Sequence, residues 1–232
     1  MTTEPLIHEH ILDALRRLDT CTVSNAIETF DVRLRNTGFA DARIRCMFED
    51  LPPMVGYAAT ARLRTDEPPI CGGYYHDRSE WWNSILQVPP PRIVLLQDMD
   101  KRPGRGAFVG KLHAAILRAL GCVGYVTNGA VRQLPSVREL GLHLFGGDVM
   151  VSHSYAHIFD FGCPVEIGNL EVHPGALLHG DRHGLLEVPR SIAGEIPAVA
   201  ATLRKAEQKV IAFCSSKQFS VGGLRQMMKE SA

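Results

Sequence analysis

Two stretches of this sequence combine residue types suited to holding a small anion. The first is the Gly-rich segment Gly104–Lys111, which follows an apolar run ending near Gln97 and opens a helical pattern. A helix start presents unpaired N–H groups and a partial positive charge, so it attracts carboxylates and phosphates. The same glycines could instead serve a turn that needs positive φ angles. Two nucleotide signatures are excluded. A Walker loop would need glycine at Arg105 and Ser or Thr at Leu112, and a dinucleotide fingerprint would need glycine at Val109.

The second stretch is Asn128–Gln133, where an apolar strand pattern runs out before a new helix. Ligands of open α/β sheets gather at the carboxyl ends of strands. Arg132 stands at such an end, with a planar, always-charged fork matched to a carboxylate; a surface ion pair is the alternative use. A third group is rich in histidine: His153, Tyr155 and His157, then His173, His179 and His183. If Val149–Ile158 is extended, His153, Tyr155 and His157 share one face and could bind a metal or move protons. Scattered histidines at an interface are the commoner arrangement.

The elements that must position these residues are legible from periodicity. Ile7–Leu18 has helical spacing, and Thr20–Asn25 offers capping residues for a second helix through Phe30. Met54–Leu63 reads as a strand and Tyr74–Leu86 as a helix stopped by Pro89–Pro91. Strand and helix then alternate: Arg92–Gln97, Gly110–Leu120, Cys122–Thr127, Leu134–Leu140 and Leu142–Phe145. Short apolar runs alternating with helices predict parallel β/α units. From Val165 to Val188 short strands are punctuated by turns at Gly168-Asn169, Pro174-Gly175 and Asp181–Gly184, the grammar of an antiparallel layer. Ser191–Ser215 predicts a C-terminal helix, with a loosely held tail after Lys217. The fold class expected is α/β with a mixed sheet.

Composition sets the outer bounds. At 232 residues with 45% hydrophobic and 22% charged, the chain can build a sizeable core. Its formal net charge is zero, which argues against a nucleic-acid binder that works by neutralising phosphates. No charged-then-apolar leader and no membrane-length apolar run is visible, so a cytoplasmic protein without membrane partners is expected. The six cysteines lie far apart without a C-x-x-C pair, which predicts buried, reduced thiols rather than a disulfide framework.

Gly110–Gln133 and Pro174–Gly184, with Thr20–Ala26, resemble the RraA-like family, the regulators of ribonuclease E activity and the 4-hydroxy-4-methyl-2-oxoglutarate aldolases, which also decarboxylate oxaloacetate. The likeness spans roughly residues 10–190. It implies a layered β/β/α, swivelling-type domain over residues 1–190, with residues 191–232 as a helical extension packed on it. It also implies a homotrimer or hexamer and a small anionic substrate, cleaved between C3 and C4 to release pyruvate. By the same resemblance Arg132 binds substrate and steadies the enolate, and the Lys111, Leu112 and His113 amides cradle the carboxylate. Gly110 and Asn128 complete the expected binding set.

The aldolases bind Mg²⁺ or Mn²⁺ through an acid where this chain has Gln133, and they carry a second acid where it has Lys111. Those exchanges shift local charge by about three units and disfavour a hard divalent ion. Lys111 could supply the missing positive charge or form a Schiff base. Two functions follow: a carbon–carbon lyase with an altered metal site, or a non-catalytic binding or regulatory protein on the same scaffold. A third is a different reaction that recruits His153, Tyr155 and His157 beside Arg132.

Overall fold

A computed structural model describes residues 6–69 and 79–230. Its helices are α1 (Glu9–Arg16), α2 (Thr20–Glu28), α3 (Ser79–Leu86), α4 (Lys111–Ala119), α5 (Leu134–Glu139), α6 (Ile196–Cys214) and α7 (Val221–Glu230). The strands are β1 (Arg45–Cys46), β2 (Met54–Arg64), β3 (Arg92–Asp98), β4 (Cys122–Thr127), β5 (Ala130–Val131), β6 (His143–Gly146) and β7 (Asp148–Val149). They continue as β8 (His157–Phe161), β9 (Val165–Ile167), β10 (Leu170–Val172), β11 (Leu177–Asp181) and β12 (Gly184–Glu187). The start of the helix expected at Tyr74 lies outside the described residues.

The main sheet runs β1-β6-β4-β3-β2-β11-β12, with β8 also on β2. Its centre, β2, β3, β4 and β6, is parallel, as the alternation of strand and helix predicts, and the flanking pairs are antiparallel. The eleven residues of β2 allow one edge to serve two partners. β11 pairs with Met54–Tyr57 and β8 with Ala61–Arg64. Between them Gly175 N–H donates to Ala58 O (2.7 Å) and Gly162 N–H to Thr60 O (2.8 Å), so the ladder is not interrupted.

Successive side chains of β3 point to opposite faces. Val94 and Leu96 join Ala114 and Leu117 of α4 and Trp81 and Ile85 of α3. Ile93 and Leu95 meet Val165, Ile167, Leu170 and Val172 of the β9–β10 hairpin on the other side. The protein is thus an α/β domain with helices on one face of a mixed sheet and a β-layer on the other. A third cluster packs α1, α2 and α6 against Val55, Tyr57, Leu177 and Leu186. Residues 93–96 are fully buried, each contributing roughly 1.5–3 kcal/mol of transfer free energy.

Three expectations need correction. The cap of α2 is Asp19, one residue earlier than expected, accepting from Thr22 N–H at 2.8 Å. The loosely held tail beyond Lys217 carries a helix not expected there, α7, with Phe219 beside Phe213 of α6 at 5.9 Å between ring centres and no described residue of α7 fully buried. Of the described cysteines, all free, only Cys122 is buried; Cys21 and Cys214 are exposed because they lie on the solvent sides of their helices. Cys71 lies outside the described residues. Among the described residues no helix is long and apolar enough to cross a membrane.

Candidate functional site

Parallel pairing puts the ends of β3 and β4 side by side, so the Gly-rich segment and residues 128–133 leave the sheet together. Asn128 locks this exit. Its Oδ1 accepts from Asp98 N–H (2.7 Å) and its Nδ2 donates to Asp98 O (3.0 Å), extending the ladder by a side chain. Asp98 is 2% exposed and accepts from Gly104 N–H (2.8 Å) and Asp100 N–H (3.1 Å). Burial pushes its pKa up to about 6, against the opposing pull of those two N–H donors. The Gly-rich turn is therefore fastened to the sheet through a buried carboxyl group. Gly104 takes φ 92°, which a β-carbon would strain.

The turn delivers the chain to Gly110, the N-cap of α4. Across from it Gln133 adopts the left-handed conformation, φ 54°, unusual for a residue with a side chain. That conformation brings Gln133 Oε1 to the α4 start, where it accepts from Lys111 N–H at 2.9 Å. A β-carbon at position 110 would lie 2.4 Å from the same oxygen, so glycine there makes room for the amide. Exchanging Gln133 for alanine is expected to lower stability by about 1 kcal/mol, the usual worth of a lost cap, measurable by urea denaturation.

Above this start lies a cavity of about 530 Å³. Gly110, Leu112, His113, Arg132 and Gln133 line it together with Phe108, His153, Ser154, Tyr155 and Ala156. Gly110, Leu112, His113 and Arg132 are thus brought together as the sequence suggests, and His153 and Tyr155 join them. Three anticipated residues stand elsewhere: Lys111 is exposed and off the cavity lining, Asn128 lines a separate groove with Arg45 and Asp148, and His157 lies outside the lining. The extended segment Val149–Ile158 does not form. Residues 150–156 are irregular, Ser154 takes φ 48°, and β8 begins only at His157.

Arg132 is half-buried, and its Nε is a buried donor without a partner among the described residues. Buried donors are nearly always satisfied; of the buried donors left without a partner among the described residues, this one belongs to a side chain that lines the cavity. His153 Nδ1 lies 2.7 Å from Ser154 O. A carbonyl can only accept, so Nδ1 is the donor, and in the neutral imidazole the lone pair lies on Nε2. His113 stacks on Phe108 at 4.7 Å. Phe108, Ser154 and Ala156 are lining residues that motif reading does not single out; an apolar residue inside a Gly-rich turn was the one available hint.

The chain belongs to the RraA-like family: the family model, Aldolase/RraA, matches residues 20–186. A Halalkalibacterium halodurans protein provisionally named as a 4-hydroxy-4-methyl-2-oxoglutarate aldolase is 25% identical over 108 residues, 46% of this chain and 50% of that one. The chain thus matches about half the length of this curated relative. Among solved structures, an uncharacterized protein from Pseudomonas syringae superposes with a TM-score of 0.71 at 22% identity, covering 99% of this chain and 100% of that one. Streptomyces coelicolor RraAS2, described as an unusual member of the RNase ES inhibitor RraA family, gives 0.66 at 22% identity, covering 88% and 97%. At these identities the two structures bear on the fold alone.

Proposed function

We propose that the chain is a carbon–carbon lyase that binds a 4-hydroxy-2-oxo acid or oxaloacetate in the Arg132 cavity and releases pyruvate. The carrying observation is the Arg132 guanidinium on the cavity lining at the start of α4, with a buried Nε that has no partner among the described residues. In this reading the Arg132 guanidinium and the first-turn amide of Leu112 hold the carboxylate and the 2-oxo oxygen. With a 4-hydroxy-2-oxo acid, His153 Nε2 takes the C4 hydroxyl proton, the C3–C4 bond breaks, and its electron pair forms the enolate at C2. With oxaloacetate the C4 carboxylate leaves as CO2, and the same electron pair forms the enolate without that deprotonation. Arg132 stabilises that oxyanion, a donor aimed at developing charge. Protonation at C3 then gives pyruvate, and the rest of the substrate leaves as the carbonyl product.

The family resemblance implies Mg²⁺ or Mn²⁺, and the cavity's own residues do not fit either. Among the described residues no carboxylate lines the cavity, and Gln133 Oε1 is engaged by Lys111 N–H. Magnesium favours anionic, hard oxygen ligands. We therefore route no step through a metal and place Lys111 outside the chemistry. A second copy of the chain would shield the cavity mouth, where Leu112 (70% exposed) presents apolar surface to water, and a homotrimer suits this reading. Residues 191–232 act as a supporting extension.

Pyruvate release from oxaloacetate and 4-hydroxy-4-methyl-2-oxoglutarate, assayed with chelator, Mg²⁺ or Mn²⁺, is the direct test. Turnover that survives chelation is the expected result. Turnover seen only with added metal would overturn the metal-free route. None under any condition would favour the second reading, a non-catalytic regulator, to which the Gln133 cap on α4 lends support.

A further inference from the structure

A different corner of the protein gathers metal-binding chemistry. Asp19 and Cys21 flank Thr20 at the start of α2, and His183 comes from the β11–β12 turn. One donor atom from each lies within 4.8 Å of the other two. The elements carrying them are pinned together by other bonds. Thr20 N–H donates to Asp181 Oδ2 (2.9 Å), and Thr20 Oγ1 lies 3.0 Å from Nδ1 of the fully buried His179. The donors therefore sit on a fixed frame.

Asp181 does more than pin α2. It is 4% exposed, and its Oδ1 accepts from His183 N–H (2.8 Å) and faces His183 Nδ1 at 3.0 Å. With the Nδ1 proton directed at the carboxylate, the lone pair falls on Nε2. A carboxylate bonded to the far nitrogen of a histidine is the arrangement that orients metal-ligating imidazoles. Asp19 keeps capacity as well. Its two oxygens accept from Thr22 N–H, Thr22 Oγ1 and Arg204 Nη2, three of the roughly four sites a carboxylate offers.

We propose that Asp19, Cys21 and His183 form a binding site for a zinc-class divalent ion, with Asp181 positioning His183. Thiolate, imidazole and carboxylate together select zinc over the hard ions magnesium and calcium. On binding, the ion displaces the Cys21 thiol proton to solvent, and thiolate plus carboxylate neutralise its charge. Donor atoms around a tetrahedral zinc lie about 3.3–3.8 Å apart, given bonds of about 2.0–2.3 Å. Small rotations of the exposed Cys21 and His183 side chains close the remaining gap. Three protein donors leave a fourth position open; Asp19 and His183 border a cleft of about 450 Å³, which Cys21 does not line, together with Arg17, Arg182, Arg204, Asp50 and Asp181. Water or a small anion suits that position.

Cobalt(II) titration of the reduced, tag-free full chain tests the site. The expected result is stoichiometric uptake with a thiolate-to-cobalt charge-transfer band that zinc abolishes. Cys21→Ala should remove the band, and His183→Ala should weaken affinity at least about tenfold. Asp181→Asn should weaken it about 10–100-fold while keeping the band at saturation, the mark of a positioning residue. Because Cys21 and His183 are exposed, circular dichroism of their variants should match the parent. Failure to take up cobalt, or an unchanged band and affinity in Cys21→Ala, would overturn the site whatever reaction the Arg132 cavity performs.

Discussion

Arg132→Ala should weaken binding of oxalate, a stable mimic of a 2-oxo acid's carboxylate and oxo oxygens, by about 10- to 150-fold. That range converts the roughly 1.5–3 kcal/mol carried by hydrogen bonds to charged groups. Arg132→Lys keeps the charge but loses the planar fork and the Nε donor, so it should recover only part of the loss. Calorimetric titration of the three proteins reads this directly. A second measurement separates binding from folding. Arg132 Nε is buried and unpartnered among the described residues, and such a donor destabilises a fold by about 1–3 kcal/mol. Removing it should leave the ligand-free melting temperature unchanged or raised. A residue kept at a cost to the empty protein is one retained for what it binds. Oxalate affinity in Arg132→Ala within twofold of the parent would exclude this cavity as the anion site.

How much of this was legible in the sequence depends on the range of the interaction involved. β3 and β4 are short apolar runs between breakers, and α4 begins where glycines end, so local pattern suffices for all three. The convergence of Gly110, Leu112, His113 and Arg132 follows from parallel pairing of β3 with β4, which the alternation of strand and helix implies. The other wall of the cavity is a different matter. Ala107 N–H donates to Ser152 O at 2.9 Å, a contact across some 45 residues that no periodicity encodes. The left-handed conformations of Ser154 and Gln133 are equally silent, because nothing about Ser or Gln announces positive φ. Gln133 shows the consequence. The family resemblance puts it at a weakened metal-ligand position, whereas its backbone turns the amide onto α4. The meeting of Cys21 with His183, a histidine the sequence does single out, escapes motif reading because the two are far apart in sequence and come together through the β11–β12 turn.

Asp98 carries a large pH effect, and its sign runs opposite to that of most carboxylates. Its folded pKa of about 6 exceeds the ordinary 3.8 because burial disfavours the charged form. Between those values the folded state holds a proton that the unfolded chain releases, so this group's contribution to stability falls as pH rises from about 4 to about 6, then levels off. The full span corresponds to roughly 3 kcal/mol. Against the opposing effect of burial, Asp19 is held below the ordinary value chiefly by the Thr22 hydroxyl and Asp181 by the Thr20 and His183 N–H groups; both contribute in the opposite direction and at lower pH. Total stability therefore mixes both signs, and the Asp98 part is isolated by comparison with Asp98→Asn. The stability of the parent minus that of the variant should drop by up to about 3 kcal/mol between pH 4 and pH 6.5 and stay level above. Urea denaturation at stepped pH provides the measurement; a difference independent of pH would mean that Asp98 titrates normally. The consequence reaches the cavity, since the Asp98 carboxyl group anchors Gly104 of the Gly-rich turn that leads to α4. If the pH dependence of oxalate binding shows an inflection near 6 that Asp98→Asn removes, the buried carboxyl group is the element that sets the position of the α4 start relative to Arg132.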